Sequence, residues 1–186
     1  FMDNHYVKRV TEGDTEAFRF LVEKYQNRAL STAYRVIKDR DLAEDIVQES
    51  FIKAYKNLRT FRGDASFATW FLRIVVNESI RHIRRKKLET AYTQETLSIN
   101  EVEMNNSLKT MKEKEQRRFI DKAMHQLPPR EALVLQLFYI DDLSLKEMEE
   151  VMELKADHLK VLLHRARKSI FTILQTELKH ELISLL

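Results

Sequence analysis

Phe61-Arg62-Gly63-Asp64-Ala65-Ser66-Phe67-Ala68-Thr69-Trp70-Phe71-Leu72-Arg73-Ile74-Val75-Val76-Asn77 is the stretch on which the fold turns. Gly63 is one of only two glycines in 186 residues, and Arg62 and Asp64 around it mark a polar, exposed turn. Ser66 or Asp64 can cap the helix that follows, in which Phe67, Phe71, Ile74 and Val75 recur at helical spacing as a core stripe with Trp70 at its edge. Beyond Val75 the stripe is expected to dissolve, and Arg81, Arg84, Arg85, Lys86 and Lys87 crowd the last turns. Cations there suit the helix dipole and also attract phosphate. Two readings fit this segment: a core helix with a solvated basic end, or a surface that stacks and holds nucleic acid.

Upstream, Asp41 with Glu44 reads as a capping box opening the best-defined helix, whose face carries Ala43, Ile46, Val47, Ser50, Phe51, Ala54, Tyr55 and Leu58. Asp45, Gln48, Glu49 and Ile52 fall together on the opposite side, either a plain solvated face or a docking surface for a basic partner helix. Before it, Gly13-Asp14-Thr15 begins a first amphipathic helix with Ala17, Phe18, Leu21, Val22 and Tyr25, and the pattern continues through Ala29, Ala33, Tyr34 and Ile37.

Downstream, periodicity fails from Leu88 to Leu108, where Glu89, Glu95, Glu101 and Glu103 stand without any lysine or arginine, as in a flexible acidic linker. Helical pattern resumes with Phe119, Ile120, Ala123, Met124 and Leu127, is stopped by Pro128-Pro129, and returns in Leu133, Val134, Leu137 and Phe138 until Asp141-Asp142. Ser144 and Glu147 then form a capping box for a short helix with Met148, Val151 and Met152 inward. A turn at Glu153-Leu154-Lys155 leads to a long last helix that Asp157 can cap. Short helix, tight turn and second helix make a helix-turn-helix pattern, although the usual turn glycine is missing, and helix hairpins without any DNA role share the spacing.

Two glycines and two prolines leave too little punctuation for strands in tight sheets, so an all-α fold of two small helical domains is expected: 2–88, a linker at 89–115, and 116–186. With a formal charge of +3, any nucleic-acid role must come from local clustering. The absence of cysteine excludes disulfides and thiolate metal sites and fits a reducing cytoplasm. No apolar run approaches the roughly 18 residues of a membrane span, so no direct membrane insertion is expected.

In this order and spacing, Gly13-Asp14-Thr15-Glu16-Ala17-Phe18, Asp41 to Phe51, Phe61 to Asn77, Leu127-Pro128-Pro129, and Leu143 through Arg167 resemble bacterial sigma factors of the extracytoplasmic-function type, built from a sigma-2 helical bundle and a sigma-4 helix-turn-helix. The resemblance covers nearly the whole chain. It implies a transcription initiation factor whose partners are core RNA polymerase, through the clamp helices of the largest subunit and the flap, promoter DNA, and an anti-sigma factor. Asp45, Gln48, Glu49 and Ile52 would then meet the clamp helices. Arg62, Gly63, Asp64, Ser66 and Phe67 would border the pocket for a base flipped from the minus-ten element, beside Trp70, Arg73 and Asn77, with Arg81, Arg84, Arg85, Lys86 and Lys87 on the upstream backbone. Flipping costs a few kcal/mol that stacking must recover. Lys155, His158, Lys160, Val161, His164, Arg165, Arg167 and Lys168 would face the minus-thirty-five duplex. The linker would thread through the polymerase, its glutamates mimicking nucleic-acid charge, unless it is merely a spacer. The chain departs from the family at Arg81, where an acidic residue is frequent, and at Asp157 to Leu162, where the recognition helix lacks an arginine.

No catalytic or metal site and no cofactor are expected, because the six histidines are scattered and neither a phosphate-cradling glycine loop nor a nucleophile motif occurs. A stand-alone helix-turn-helix regulator of transcription is the alternative, and would have no use for the Asp45 stripe. A purely protein-binding adaptor leaves the basic cluster and the Phe67 to Trp70 surface without purpose.

Overall fold

The computed structural model describes residues 2–90 and 111–184, and every regular element among them is helical. The acidic segment therefore lies almost wholly outside the described residues. Helix α1 (Met2–Thr11), which the sequence pattern did not announce, ends just before Gly13 turns the chain at φ 109°. Asp14 accepts from the amide of Ala17 at 3.3 Å to start α2 (Ala17–Ile37), and its other oxygen accepts from Arg9 Nη2 at 2.5 Å, tying the two helices.

Lys38 closes α2 in the left-handed region, φ 59°, with its amide donating to Tyr34 O at 2.8 Å. That reversal leaves Asp39 extended, and Asp39 rather than Asp41 caps α3 (Arg40–Asn57), accepting from Leu42 N at 3.2 Å. Glu44 pairs instead with Arg40 at 2.8 Å. Tyr55, expected on the buried face, is 42% exposed and meets Phe18 edge-on. A 3-10 turn at Leu58–Thr60 leads to the Gly63 loop and α4 (Phe67–Thr90), whose cap is Ser66: its Oγ accepts from Thr69 N at 3.0 Å.

Leu21, Tyr25 and Ala29 of α2, Ile46 and Phe51 of α3, and Phe67, Phe71 and Val75 of α4 form the first core. Phe51 and Phe71 stack with centroids 4.4 Å apart, each ring contributing about 2–3 kcal/mol by its burial. The apolar pattern of α4 does not stop at Val75. Leu72 and Val76 are fully buried on a second side, continued by Ile80 and Ile83, because α4 lies between two cores rather than against one.

The second core belongs mostly to the C-terminal half. Helix α5 (Met111–Gln126) precedes α6 (Pro129–Leu135), which places Pro129 where a missing amide is harmless. A π turn follows at Gln136–Ile140, closed by Asp141 N donating to Gln136 O at 2.9 Å. Ser144 and Glu147 form the expected capping box at the head of α7 (Leu145–Met152). Glu153, at φ 54°, takes the left-handed position where a glycine is customary. Helix α8 (Ala156–Ser184) starts one residue ahead of Asp157, and the Ala156 amide donates to Glu149 Oε1 at 2.6 Å, so Glu149 takes the role expected of Asp157. Leu127, Leu133, Leu137, Met148, Val151, Leu159 and Leu163 fill this core, and Val36, Leu72 and Val76 of the N-terminal half complete it.

Candidate nucleic-acid interface

Three surfaces carry the residues singled out in the sequence. On α3, Asp45, Gln48 and Glu49 are exposed and Ile52 is 56% exposed, directly behind buried Ile46, Val47, Ser50 and Phe51. Neither Asp45 nor Glu49 has an ion-pair partner among the described residues. The face therefore leaves two carboxylates and an isoleucine open to a partner.

The loop before α4 presents Arg62, Gly63 and Asp64 to solvent. Gly63 sits at φ 79°, and a Cβ there would meet nothing within 4 Å, so backbone conformation and not crowding asks for glycine. Phe67 does not belong with the exposed residues: it is 1% exposed, between Tyr25 and Phe71, and cannot offer its ring to a base. Its place in the core follows from the same period that puts Phe71 and Val75 there. What it does is support Trp70, whose ring lies 5.7 Å from it and 5.4 Å from Phe61, with the indole half-buried. Trp70, Arg73 and Asn77 follow at i, i+3 and i+7 on one face of α4. Arg81, Arg84 and Arg85 extend α4 as exposed cations, and Lys86 is half-buried. Arg81 lies 3.7 Å from Glu78, which also binds Lys53, so its charge is partly balanced. The side chain of Lys87 lies outside the described residues.

On α8, Val161, His164 and Lys168 run along the centre of the exposed face, opposite buried Leu159, Leu163 and Ala166. His158 and Arg165 flank it on one side, Lys160 and Arg167 on the other, and Lys155 is exposed in the turn before it. Arg167 is already engaged: its guanidinium lies over Phe138 and Tyr139, and Nε donates to Tyr139 Oη at 2.7 Å. The π turn that projects Tyr139 thus orients one cation of the candidate recognition helix.

A set of contacts that the sequence pattern did not announce joins the two halves. Arg28 Nε donates to Asp141 Oδ1 at 2.8 Å and Nη2 to Asp141 O at 2.7 Å. Burial pushes the Asp141 carboxyl above the usual carboxylate range against the pull of Arg28. Arg35, buried, donates from Nε to Gln136 Oε1 at 3.2 Å and pairs with Asp121. Lys38 Nζ donates to Leu127 O at 2.6 Å, and burial lowers its pKa. On α4, Thr69 Oγ1 donates to Glu147 Oε1 at 3.2 Å, Arg73 Nη2 to Glu153 Oε1 at 2.7 Å and Asn77 Nδ2 to the same oxygen at 3.4 Å. The only sequence signal for this contact is the second apolar row of α4, Leu72, Val76, Ile80 and Ile83.

Comparison with known proteins gives these surfaces a family. The sigma-70 region 2 pattern matches residues 21–89 and the sigma-70 region 4 pattern residues 118–170. The chain is 34% identical over 187 residues to the RNA polymerase sigma-H factor of Pseudomonas aeruginosa, covering 95% of this chain and 96% of that protein. It is 32% identical over 172 residues to the ECF RNA polymerase sigma factor SigW of Bacillus subtilis, covering 88% and 92%. Among solved structures, the sigma factor RpoE of Bartonella quintana, in its co-crystal with the anti-sigma factor NepR, superposes with a TM-score of 0.74 at 17% identity, covering 85% of this chain and 96% of that one. With both regions matched in order and relatives above 30% identity along nearly the full length, the chain belongs to the extracytoplasmic-function sigma factors of the sigma-70 family.

Proposed function

We propose that this protein is a transcription initiation factor that binds core RNA polymerase, directs it to promoters with two recognition elements and opens the minus-ten element. One observation carries the reading furthest: α4 displays Trp70 on an aromatic base, Arg73 and Asn77 on the turns after it, and Arg81, Arg84 and Arg85 beyond. Such a row offers a stacking surface, polar groups for a base edge and cations for the backbone, in the order a strand running along the helix would meet them.

Asp45, Gln48, Glu49 and Ile52 are the polymerase-docking stripe, meeting clamp helices of the largest subunit. Arg62, Gly63, Asp64 and Ser66 border the pocket for the flipped base, whose unstacking costs a few kcal/mol that Trp70 helps to recover. Lys155, His158, Lys160, Val161, His164, Arg165 and Lys168 face the minus-thirty-five duplex, with Arg167 held beside them by Tyr139. The chain performs no catalysis of its own, works in the cytoplasm beside the polymerase, and is held in reserve by an anti-sigma factor. Among the described residues no helix is long and apolar enough to cross a membrane.

Run-off transcription from genomic fragments by core polymerase, with and without this protein, tests the proposal. Discrete transcripts that need the protein support it. Retention of duplex fragments by the protein alone, without such transcripts, would favour a stand-alone DNA-binding regulator.

A further inference from the structure

Tyr139 is 58% exposed, yet its hydroxyl is already engaged on one side, accepting from Arg167 Nε at 2.7 Å. The guanidinium lies over two rings at once, 5.7 Å from the centroid of Phe138 and 5.5 Å from that of Tyr139, and those rings meet edge to face at 5.0 Å. Phe138 packs against the second core, so the platform under Arg167 is fixed by the fold. Both rings belong to the π turn Gln136–Ile140, which brings two consecutive aromatic side chains onto the flank of α8.

Nothing in this arrangement neutralises the charge. Arg167 has no carboxylate partner among the described residues, and the chain from His158 to Thr176 contains no aspartate or glutamate. With Nε committed to Tyr139, both Nη groups remain as donors, and the hydroxyl that accepts from Nε keeps its own proton to give. These donors lie side by side, and the group that suits them is an anion with more than one oxygen. Arg165 and Lys168 stand next to Arg167 in the chain and are exposed, so the helix offers a run of cations to a repeated negative charge, the pattern of a nucleic-acid backbone.

We propose that Tyr139 and Arg167 form a clamp on a single backbone phosphate of the duplex that α8 faces, Arg167 through Nη and Tyr139 through its hydroxyl hydrogen. The inference rests on the assignment of α8 to the minus-thirty-five duplex. It adds to that interface a residue outside the recognition helix. Because the rings and the hydroxyl hold the guanidinium beforehand, little side-chain freedom is left to lose on binding. A phosphate contact fixes register without reading bases, so the clamp sets how the recognition helix lies in the groove and leaves sequence choice to its neighbours.

The test uses holoenzyme formed from the full chain and core polymerase, with a fluorescent duplex carrying the minus-thirty-five element of a promoter identified by run-off transcription. Affinity is measured against salt for the parent, Arg167→Ala and Tyr139→Phe, and then against duplexes in which one phosphate at a time is a neutral methylphosphonate. Arg167→Ala should weaken binding to all sequences alike and reduce the slope of log K against log salt by about 1. Tyr139→Phe keeps the ring and removes only the hydroxyl, so affinity should fall about tenfold with the salt slope and the melting temperature unchanged. One methylphosphonate position should weaken the parent, have no further effect in Arg167→Ala and a reduced effect in Tyr139→Phe.

If methylphosphonates and base changes in the element weaken binding but no position is coupled to Arg167 and Tyr139, the clamp alone is wrong. If the holoenzyme is indifferent to every such change, the assignment of α8 to the duplex falls, and the clamp with it. Loss of co-elution with core polymerase in Arg167→Ala would show that the cation meets a protein carboxylate instead, and that result also overturns the clamp.

Discussion

Trp70 rests on Phe61 with ring centroids 5.4 Å apart and planes tilted by 54°, and Phe67 stands edge-on to Phe61 from below at 5.9 Å. The indole is therefore positioned by the core while one side remains accessible. Trp70→Ala should weaken capture of the minus-ten strand by about 1–3 kcal/mol, roughly 5- to 150-fold, with polymerase association unchanged. Trp70 is also the chain's single tryptophan, so its fluorescence reports the event directly. Equal losses of strand capture and polymerase association would mean that truncation has damaged the fold instead.

On α3, reversing the charges of Asp45 and Glu49 together, Asp45→Arg with Glu49→Lys, should abolish co-elution with core polymerase. The melting temperature should stay close to the parent's, because both side chains are exposed and unpaired, and such substitutions usually change stability by less than about 0.5 kcal/mol.

Glu153 supplies a pH signature. Hydrogen bonds from Arg73 and then Asn77 hold its carboxyl below the ordinary value of 4.5. A lowered acid stabilises the packed state above its unfolded value, and that contribution is lost as pH falls through the folded one. Carboxyl titration by NMR should therefore give Glu153 an apparent pKa under 4.5, returning toward it in Arg73→Ala. Glu147, lowered chiefly by the Ser144 hydroxyl, should keep its own shift in that variant.

Local backbone chemistry gives two tests of stability. Ser144→Ala removes the acceptor for the Glu147 amide and should cost about 1 kcal/mol, read as a lower melting temperature. Gly63→Ala should cost a similar amount, about 1 kcal/mol, through its φ of 79° alone, since no atom crowds the added methyl.

Much of this architecture was legible because it is written in local periodicity. The 3.6-residue pattern located α3, the core stripe of α4 and the capping box of α7, and the scarcity of glycine and proline excluded sheets. Start positions were harder to read. Asp39 and Glu149 displaced Asp41 and Asp157 because capping depends on the conformation of the preceding turn, and nothing local says that Lys38 will be left-handed. Phe67 illustrates a different limit: a residue on a core stripe and beside a pocket is assigned to one or the other only by packing. Least legible were the partners that meet across more than a hundred positions, such as Arg28 with Asp141. A charged residue on an amphipathic helix reads as solvated until another element covers it.

The sharing of the second core has a kinetic corollary. Val36, Leu72 and Val76 are sequestered only while the halves stay together, so each separation bares an apolar seam along α2 and α4 and its counterpart near Met148 and Val151. When opening and closing are fast relative to cleavage, a protease samples the open population directly. A chain without a partner would thus be degraded in proportion to how much it gapes, and engagement by polymerase would lengthen its lifetime. The interface between the halves would then set how much of the protein survives between signals.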